Sequence, residues 1–229
     1  MTVKAKRVLT FNGDKKVKDF YIARVKAHQL ADEIQHGFFW ENGKGCAVGC
    51  MVETGSNPHE TLAKAIGIPL SMAHLIDLLF EGQSNGTAKA FPLKFIKAVS
   101  VGVDVVPVMD RFLYALLADK NHGAIAKAND RARPVIQAVI DAYGERIAGR
   151  DPGVPAWRKL GAAAYAACVY AAAAAYAAYA ACVYAAAAAY AAYAAYAADA
   201  AADAADDARA NHYTWQAELL ISLLKKAGK

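Results

Sequence analysis

The sequence predicts a mainly α protein: a helical globule with a small β-hairpin in its N-terminal third, followed by a long Ala/Tyr-rich C-terminal helical region. Three observations carry that expectation. Apolar residues recur at helical rather than alternating spacing over most of the chain. Gly and Pro fall between those stretches, where helices stop and start. Between Gly161 and Ala210, 32 of 50 residues are Ala, the strongest helix former, and 8 are Tyr.

In chain order, Val8–Phe11 reads as a short strand ending in a turn at Asn12-Gly13. Asp14 is placed to cap a helix over Lys15–His36, on which Val17, Phe20, Tyr21, Val25, Leu30 and Ile34 recur, with Gly37 as its stop. The run Glu41-Asn42-Gly43-Lys44-Gly45, between Phe38-Phe39-Trp40 and Cys46–Glu53, reads as the hairpin or an irregular Gly-rich turn. Asn57-Pro58 opens a helix that Gly67 closes, and Pro69 opens another that runs through Glu81. Phe91–Val99, Val105–Leu117 and Arg131–Ile147 read as further helices. Gly149–Pro155 is the clearest break. It divides a globular domain, residues 1–150, from a helical region, residues 156–229, with 151–155 as the linker.

The helical region carries an internal repeat. Ala163–Tyr176 reads AAYAACVYAAAAAY, and Ala177–Tyr190 repeats it letter for letter. At about 100° per residue, Tyr165, Tyr176, Tyr179 and Tyr190 fall in one narrow stripe. This aromatic ridge is the candidate surface for a protein partner or for self-association, since Tyr adds contact area with a polar tip. Tyr213–Lys226 is amphipathic, with Trp215, Leu219, Leu220, Leu223 and Leu224 as its apolar set, and is expected to fold back. Gly161–Ala198 carries no charge, yet Ala is barely apolar enough for a membrane and Tyr prefers its interface, so a membrane span is not expected. The absence of Thr from Gly161–Ala210 sets aside an ice-binding helix.

Net charge is +5, and the N-terminal region holds more than all of it. Lys4, Lys6, Arg7, Lys15, Lys16, Lys18, Arg24 and Lys26 stand there against Asp14 and Asp19. Lys15, Lys16 and Lys18 are therefore candidates for contact with an acidic or nucleic-acid surface. No apolar stretch follows the basic Met1–Thr10, so the expected compartment is the cytoplasm and the expected state of the 4 cysteines is the reduced thiol.

The most concentrated motif is Gly43-Lys44-Gly45-Cys46-Ala47-Val48-Gly49-Cys50. It matches neither the P-loop nor the dinucleotide fingerprint, since Val48 stands where the third glycine belongs. Gly43, Lys44, Gly45 and Cys46 form a candidate anion or ligand turn, in which backbone N–H groups would cradle the ligand beside a lysine. A cation near Cys46 would also lower its thiol pKa, but a buried apolar role is the expectation for Cys46 and Cys50. Their C-x3-C spacing lacks two further ligands, with His36 and His59 the nearest candidates, so no metal and no cofactor is assigned. The 6 histidines show no metal spacing and no nucleophile motif is present, so no catalytic residue is assigned. Leu62–Ile68 followed by Ala73 and Ile76 has helix-turn-helix spacing. Its second helix offers Ser71, His74 and Asp77 outward, with no Arg or Lys, and Asp77 and Glu81 repel phosphate.

The stretch from Asp19 to Gly149 resembles a group of hypothetical proteins of bacteria and their phages. The resemblance rests on Phe39–Cys50, on Gly67-Ile68-Pro69, on Phe80-Glu81-Gly82 and on the tail segment Trp215–Leu220. It implies a mobile-element setting and carries no catalytic residue over. The functional expectation is a non-enzymatic binding protein that docks a macromolecular partner through helical surfaces. By analogy with phage proteins, such a protein blocks a host defence nuclease in the manner of anti-CRISPR proteins. Two other classes stay open: a small-molecule or nucleotide binder or enzyme that uses Gly43–Cys50, and a helix-turn-helix DNA-binding regulator.

Overall fold

The computed structural model describes residues 9–130, 132–168 and 206–229, and the described chain is mainly helical. A 3-10 turn at Thr10–Gly13 precedes α1 (Lys15–Leu30), α2 (Ala47–Val52), α3 (Pro58–Ile66), α4 (Leu70–Gly82) and the single turn α5 (Asn85–Ala88). Then come α6 (Phe91–Ala98), α7 (Val106–Ala118), the single turn α8 (Ala124–Lys127), α9 (Ala132–Ile147), α10 (Val154–Cys168) and α11 (Asp206–Ala227).

The arrangement is organised around α4. Met72, Ala73, Leu75, Ile76, Leu79 and Phe80 are buried on it, as is Ser71, so apolar side chains leave most of its circumference. A helix apolar on nearly all sides must be enclosed, and α2, α3, α6 and α11 pack against it. The remaining layer is a chain of neighbours: α11 also lies on α6 and α7, α7 on α9, and α9 on α10. The described helices on both sides of Gly149–Pro155 thus share one core, to which Trp157, Tyr213, Leu220 and Leu224 belong. On α11 the buried line is Tyr213, Ala217, Leu220 and Leu224, at helical spacing, with Trp215, Leu219 and Leu223 at its margin. The break itself is an ordered corner. Asp151 accepts from Gly153 N–H (2.9 Å) and Trp157 Nε1 (3.1 Å) and pairs with Arg146 (3.3 Å), which also holds Asp110 on α7 (3.0 Å).

Three expectations are corrected. The hairpin does not form. Glu41 and Lys44 exchange backbone hydrogen bonds of 2.8 and 2.9 Å around Asn42 (φ 50°) and Gly43 (φ 80°). That is the tight turn this dipeptide favours, but the pairing stops there. Gly45 N–H goes to Glu33 O (3.0 Å), Cys46 N–H goes to Phe38 O (2.9 Å), and the residues after Cys46 are helical instead of extended. The expected strand at Val8–Phe11 is, in its described part, the 3-10 turn, with Phe11 at φ 54° and fully buried. Finally, α1 ends at Leu30 rather than His36. Asp32 takes the left-handed conformation at φ 54° and Glu33 N–H returns to His28 O (3.0 Å), so Gly37 is not the stop.

The glycines of the Gly-rich run have a packing cause. A Cβ at Gly49 would stand 1.4 Å from Phe39 O, and one at Gly45 would stand 1.9 Å from the same atom. The Phe38–Trp40 backbone crosses the start of α2 in direct contact with it, and only hydrogen at both positions leaves room. Substituting Gly49 by Ala is expected to cost about 3 kcal/mol or more, the upper range of overpacking. Gly43→Ala meets open space but keeps a positive φ, and should cost about 1 kcal/mol. Gly86→Ala has open space and no such φ, and should stay within about 0.5 kcal/mol of the parent. Urea midpoints of the three variants check the order; equal midpoints for Gly49→Ala and Gly86→Ala contradict the contact.

Candidate functional site

Chemically dense side chains converge where α2 begins, against the outer face of α4. His74, Asp77 and Glu81 lie three, four and seven residues apart on α4 and so share a face. α3 brings His59 to this face. Its Nε2 meets Asp77 Oδ2 at 3.1 Å, and its ring stacks on His74 with centroids 4.0 Å apart. Phe39 closes the other side of His59, edge-on at 5.1 Å. α2 contributes Cys46, whose Sγ accepts from Gly49 N–H at 3.4 Å as the helix N-cap. Cys46 Sγ and one carboxylate oxygen each of Asp77 and Glu81 lie within 4.8 Å of one another. Glu81 stands at the solvent edge and accepts from Gly37 N–H at 3.0 and 3.2 Å.

The electrostatics oppose activation of this thiol as a nucleophile. Burial, then the Asp77 carboxylate, push the Cys46 pKa far above its ordinary value, opposite to what an activated cysteine needs. Cys50 is pushed up to about 12 by burial and donates to Gly45 O at 3.3 Å, away from the cluster. Burial and then neighbouring Asp77 also act on Glu81, which is held above the usual carboxylate range, although its Gly37 N–H contact opposes them.

The N–H groups of Lys44, Gly45 and Cys46 all bond backbone carbonyls. An anion at this turn would meet the exposed Lys44 side chain without the cradle of N–H groups. Ser71, expected outward on α4, is buried. The α3–α4 pair turns through 119°, within the helix-turn-helix range. Most of α4 is enclosed, however, and its open face carries His74, Asp77 and Glu81 rather than cations. Among the described residues no single helix is long and apolar enough to cross a membrane. Tyr165 falls within α10, whereas Tyr176, Tyr179 and Tyr190 lie outside the described residues, as does most of the repeat.

The N-terminal lysines meet others that the sequence left unconnected. Lys18 Nζ donates to Lys97 O (3.0 Å) and Val99 O (2.6 Å), tying α1 to the C-terminal end of α6. Lys15 pairs with Asp19 at 2.6 Å, and Lys16 is exposed. Beside Lys18, Lys94 and Lys97 of α6 and Lys225, Lys226 and Lys229 at the end of α11 line an open groove of about 640 Å³, with Glu218 among them. These lysines offset the negative C-terminal ends of two helix dipoles. The sequence signal was the i, i+3 spacing of Lys94 and Lys97 and the terminal lysine cluster; their meeting needed the α6–α11 contact.

No family model, no curated protein and no solved structure matches this chain.

Three histidines share one titration sign. Burial holds His36, His74 and His212 below the ordinary 6.5, helped by His59 at His74 and by His122 at His212. Below pH 6.5 the unfolded chain takes up protons that the folded chain refuses, so this stability is present above 6.5 and lost as pH falls through it. Glu81 and Asp110, whose pKa values are raised by burial, act in the opposite sense at more acidic pH. The thermal midpoint should therefore fall between about pH 7.5 and 6, and His212→Phe should flatten that dependence. A midpoint that rises over the same interval contradicts this account.

Proposed function

We propose that this is a non-enzymatic binding protein that docks an acidic macromolecular surface on the lysine face of α1, α6 and α11. The observation that supports the reading is the groove where Lys94, Lys97, Lys225, Lys226 and Lys229 converge, next to Lys18 of α1, whose Nζ reaches Lys97 O. Like charges brought together on a folded surface raise the free energy of the free protein and lower it when a complementary surface arrives. The absence of an activated nucleophile at Cys46 fits a role without covalent chemistry.

The favoured partner is a protein, and the more specific reading is an inhibitor of a host defence nuclease. A basic docking face has the opposite charge to a nucleic-acid mimic. An inhibitor built this way would cover an acidic part of its target, such as the carboxylates of a metal centre, rather than imitate the substrate. The Tyr ridge of the repeat supplies the second contact surface in this reading.

The test is partner capture with the full chain and with the Lys97→Ala, Lys225→Ala, Lys226→Ala variant, each with and without nuclease. A stoichiometric protein retained by the parent, insensitive to nuclease and lost from the variant at unchanged thermal midpoint, supports the reading. Equal capture by both chains overturns the lysine face. Retention of duplex DNA at low salt, with a salt slope that falls by about 1 for each phosphate contact removed, would replace the protein partner with nucleic acid.

A further inference from the structure

We propose that Cys46, Asp77 and Glu81 form a binding site for one borderline-soft divalent cation, of which Zn2+ is the type. The site is independent of the lysine face. Its donors come from two elements held against each other by the core: the thiol caps α2, and the carboxylates sit one turn apart on α4.

Donors bound to a zinc ion at about 2.0–2.3 Å stand roughly 3.5 Å from one another. The three donor atoms here already lie within 4.8 Å, so small side-chain rotations close the set. Asp77 supplies a second, separate observation. Its Oδ2 is engaged by His59, while its Oδ1 is buried with no hydrogen-bond partner. The Cys46 S–H beside this carboxylate is only a weak donor, and a metal ion would satisfy the carboxylate more fully. What faces the two carboxylates is the Cys46 thiol, the His59 imidazole and the Gly37 N–H. A thiol and two carboxylates crowded together favour a cation over any neutral ligand. The sulfur donor selects Zn2+ or a similar ion over Mg2+ and Ca2+, which take oxygen. His59 plays the outer role that metal sites use to fix a ligand's orientation, and Glu81 at the solvent edge provides the way in.

The pattern was invisible as a motif because the ligands are not a local cluster. Cys46 and Cys50 look paired in sequence, yet Cys50 Sγ is turned to Gly45 O and takes no part. Asp77 and Glu81 read as groups that repel phosphate, which is the same charge that attracts a metal.

The full chain, stripped with a chelator, is titrated with Co2+ and with Zn2+. One ion per chain is expected, with a thiolate-to-cobalt absorption band in the near ultraviolet and a higher thermal midpoint with Zn2+. Cys46→Ser should abolish the band while Cys50, Cys168 and Cys182 remain, and should keep an N-cap acceptor for Gly49. Glu81→Gln, at the surface, should fold whatever Cys46→Ser does, and should weaken Zn2+ binding by about 10-fold or more. The proposal is overturned if no ion binds, if the cobalt form lacks the band, or if Glu81→Gln binds Zn2+ as the parent does. It is equally overturned if folded Cys46→Ser keeps its affinity while His74→Ala loses it, which would place the ion on the histidine pair.

Discussion

The carbonyl oxygen of Phe39 lies where side chains at positions 45 and 49 would have to be. That single backbone contact sets the local geometry of the N-terminal third. It brings Phe38–Trp40 across the first turn of α2, gives Cys46 N–H its partner in Phe38 O, and leaves the Cys46 side chain to cap the helix. The rest of α2 is then anchored from α1. Arg24 donates to Met51 O at 3.0 Å and pairs with Glu53 at 3.1 Å, while His28 stands between Glu33 and Glu53 with Trp40 edge-on to its ring. A six-residue helix has little stability of its own. This one persists because both its ends are satisfied by other segments and nearly every residue in it is buried.

The second organising element is α4, and its two sides have different uses. The larger side is the centre of the core, where Gly82 meets the Tyr213 ring so closely that a Cβ would stand 2.3 Å from it, which seats α11. The smaller side is the row His74, Asp77, Glu81. Charge is thereby sorted in space. Carboxylates and imidazoles gather around the start of α2, and lysines gather where α6 and α11 end. The proposed carboxylate-based cation site and the proposed basic docking face are chemically compatible because they occupy different surfaces, where neither neutralises the other's field.

Some elements were legible because their signals are local. Asp14 caps α1, Pro58 opens α3, and Gly67 closes it at φ 65°, and each rule concerns a residue and its immediate neighbours. Asn42-Gly43 also makes the turn its dipeptide prescribes. The hairpin expected around that turn failed because strand or helix on either side is decided by distant partners: Glu33 for Gly45, Phe38 for Cys46. The same reason moved the end of α1. Asp32 adopted the left-handed conformation that the sequence suggested for Gly37, and its neighbour Glu33 is held by His28.

The sequence by itself determined the helical class, the boundaries of α3, α4, α6, α7 and α9 to within a residue or two, and the amphipathic character of the last helix. Those features follow from spacing and from backbone preferences within a few residues. Only the tertiary structure decided what the conspicuous residues do. It made the Gly-Lys-Gly-Cys run a packing element by placing Phe39 O against it. It joined Cys46 to Asp77 and Glu81 across thirty residues of chain and more, and it gathered lysines from three helices onto one face. The physical reason is that packing is set by shape and burial, whereas a site depends on which packed surfaces meet, and that juxtaposition exists only once the chain has folded.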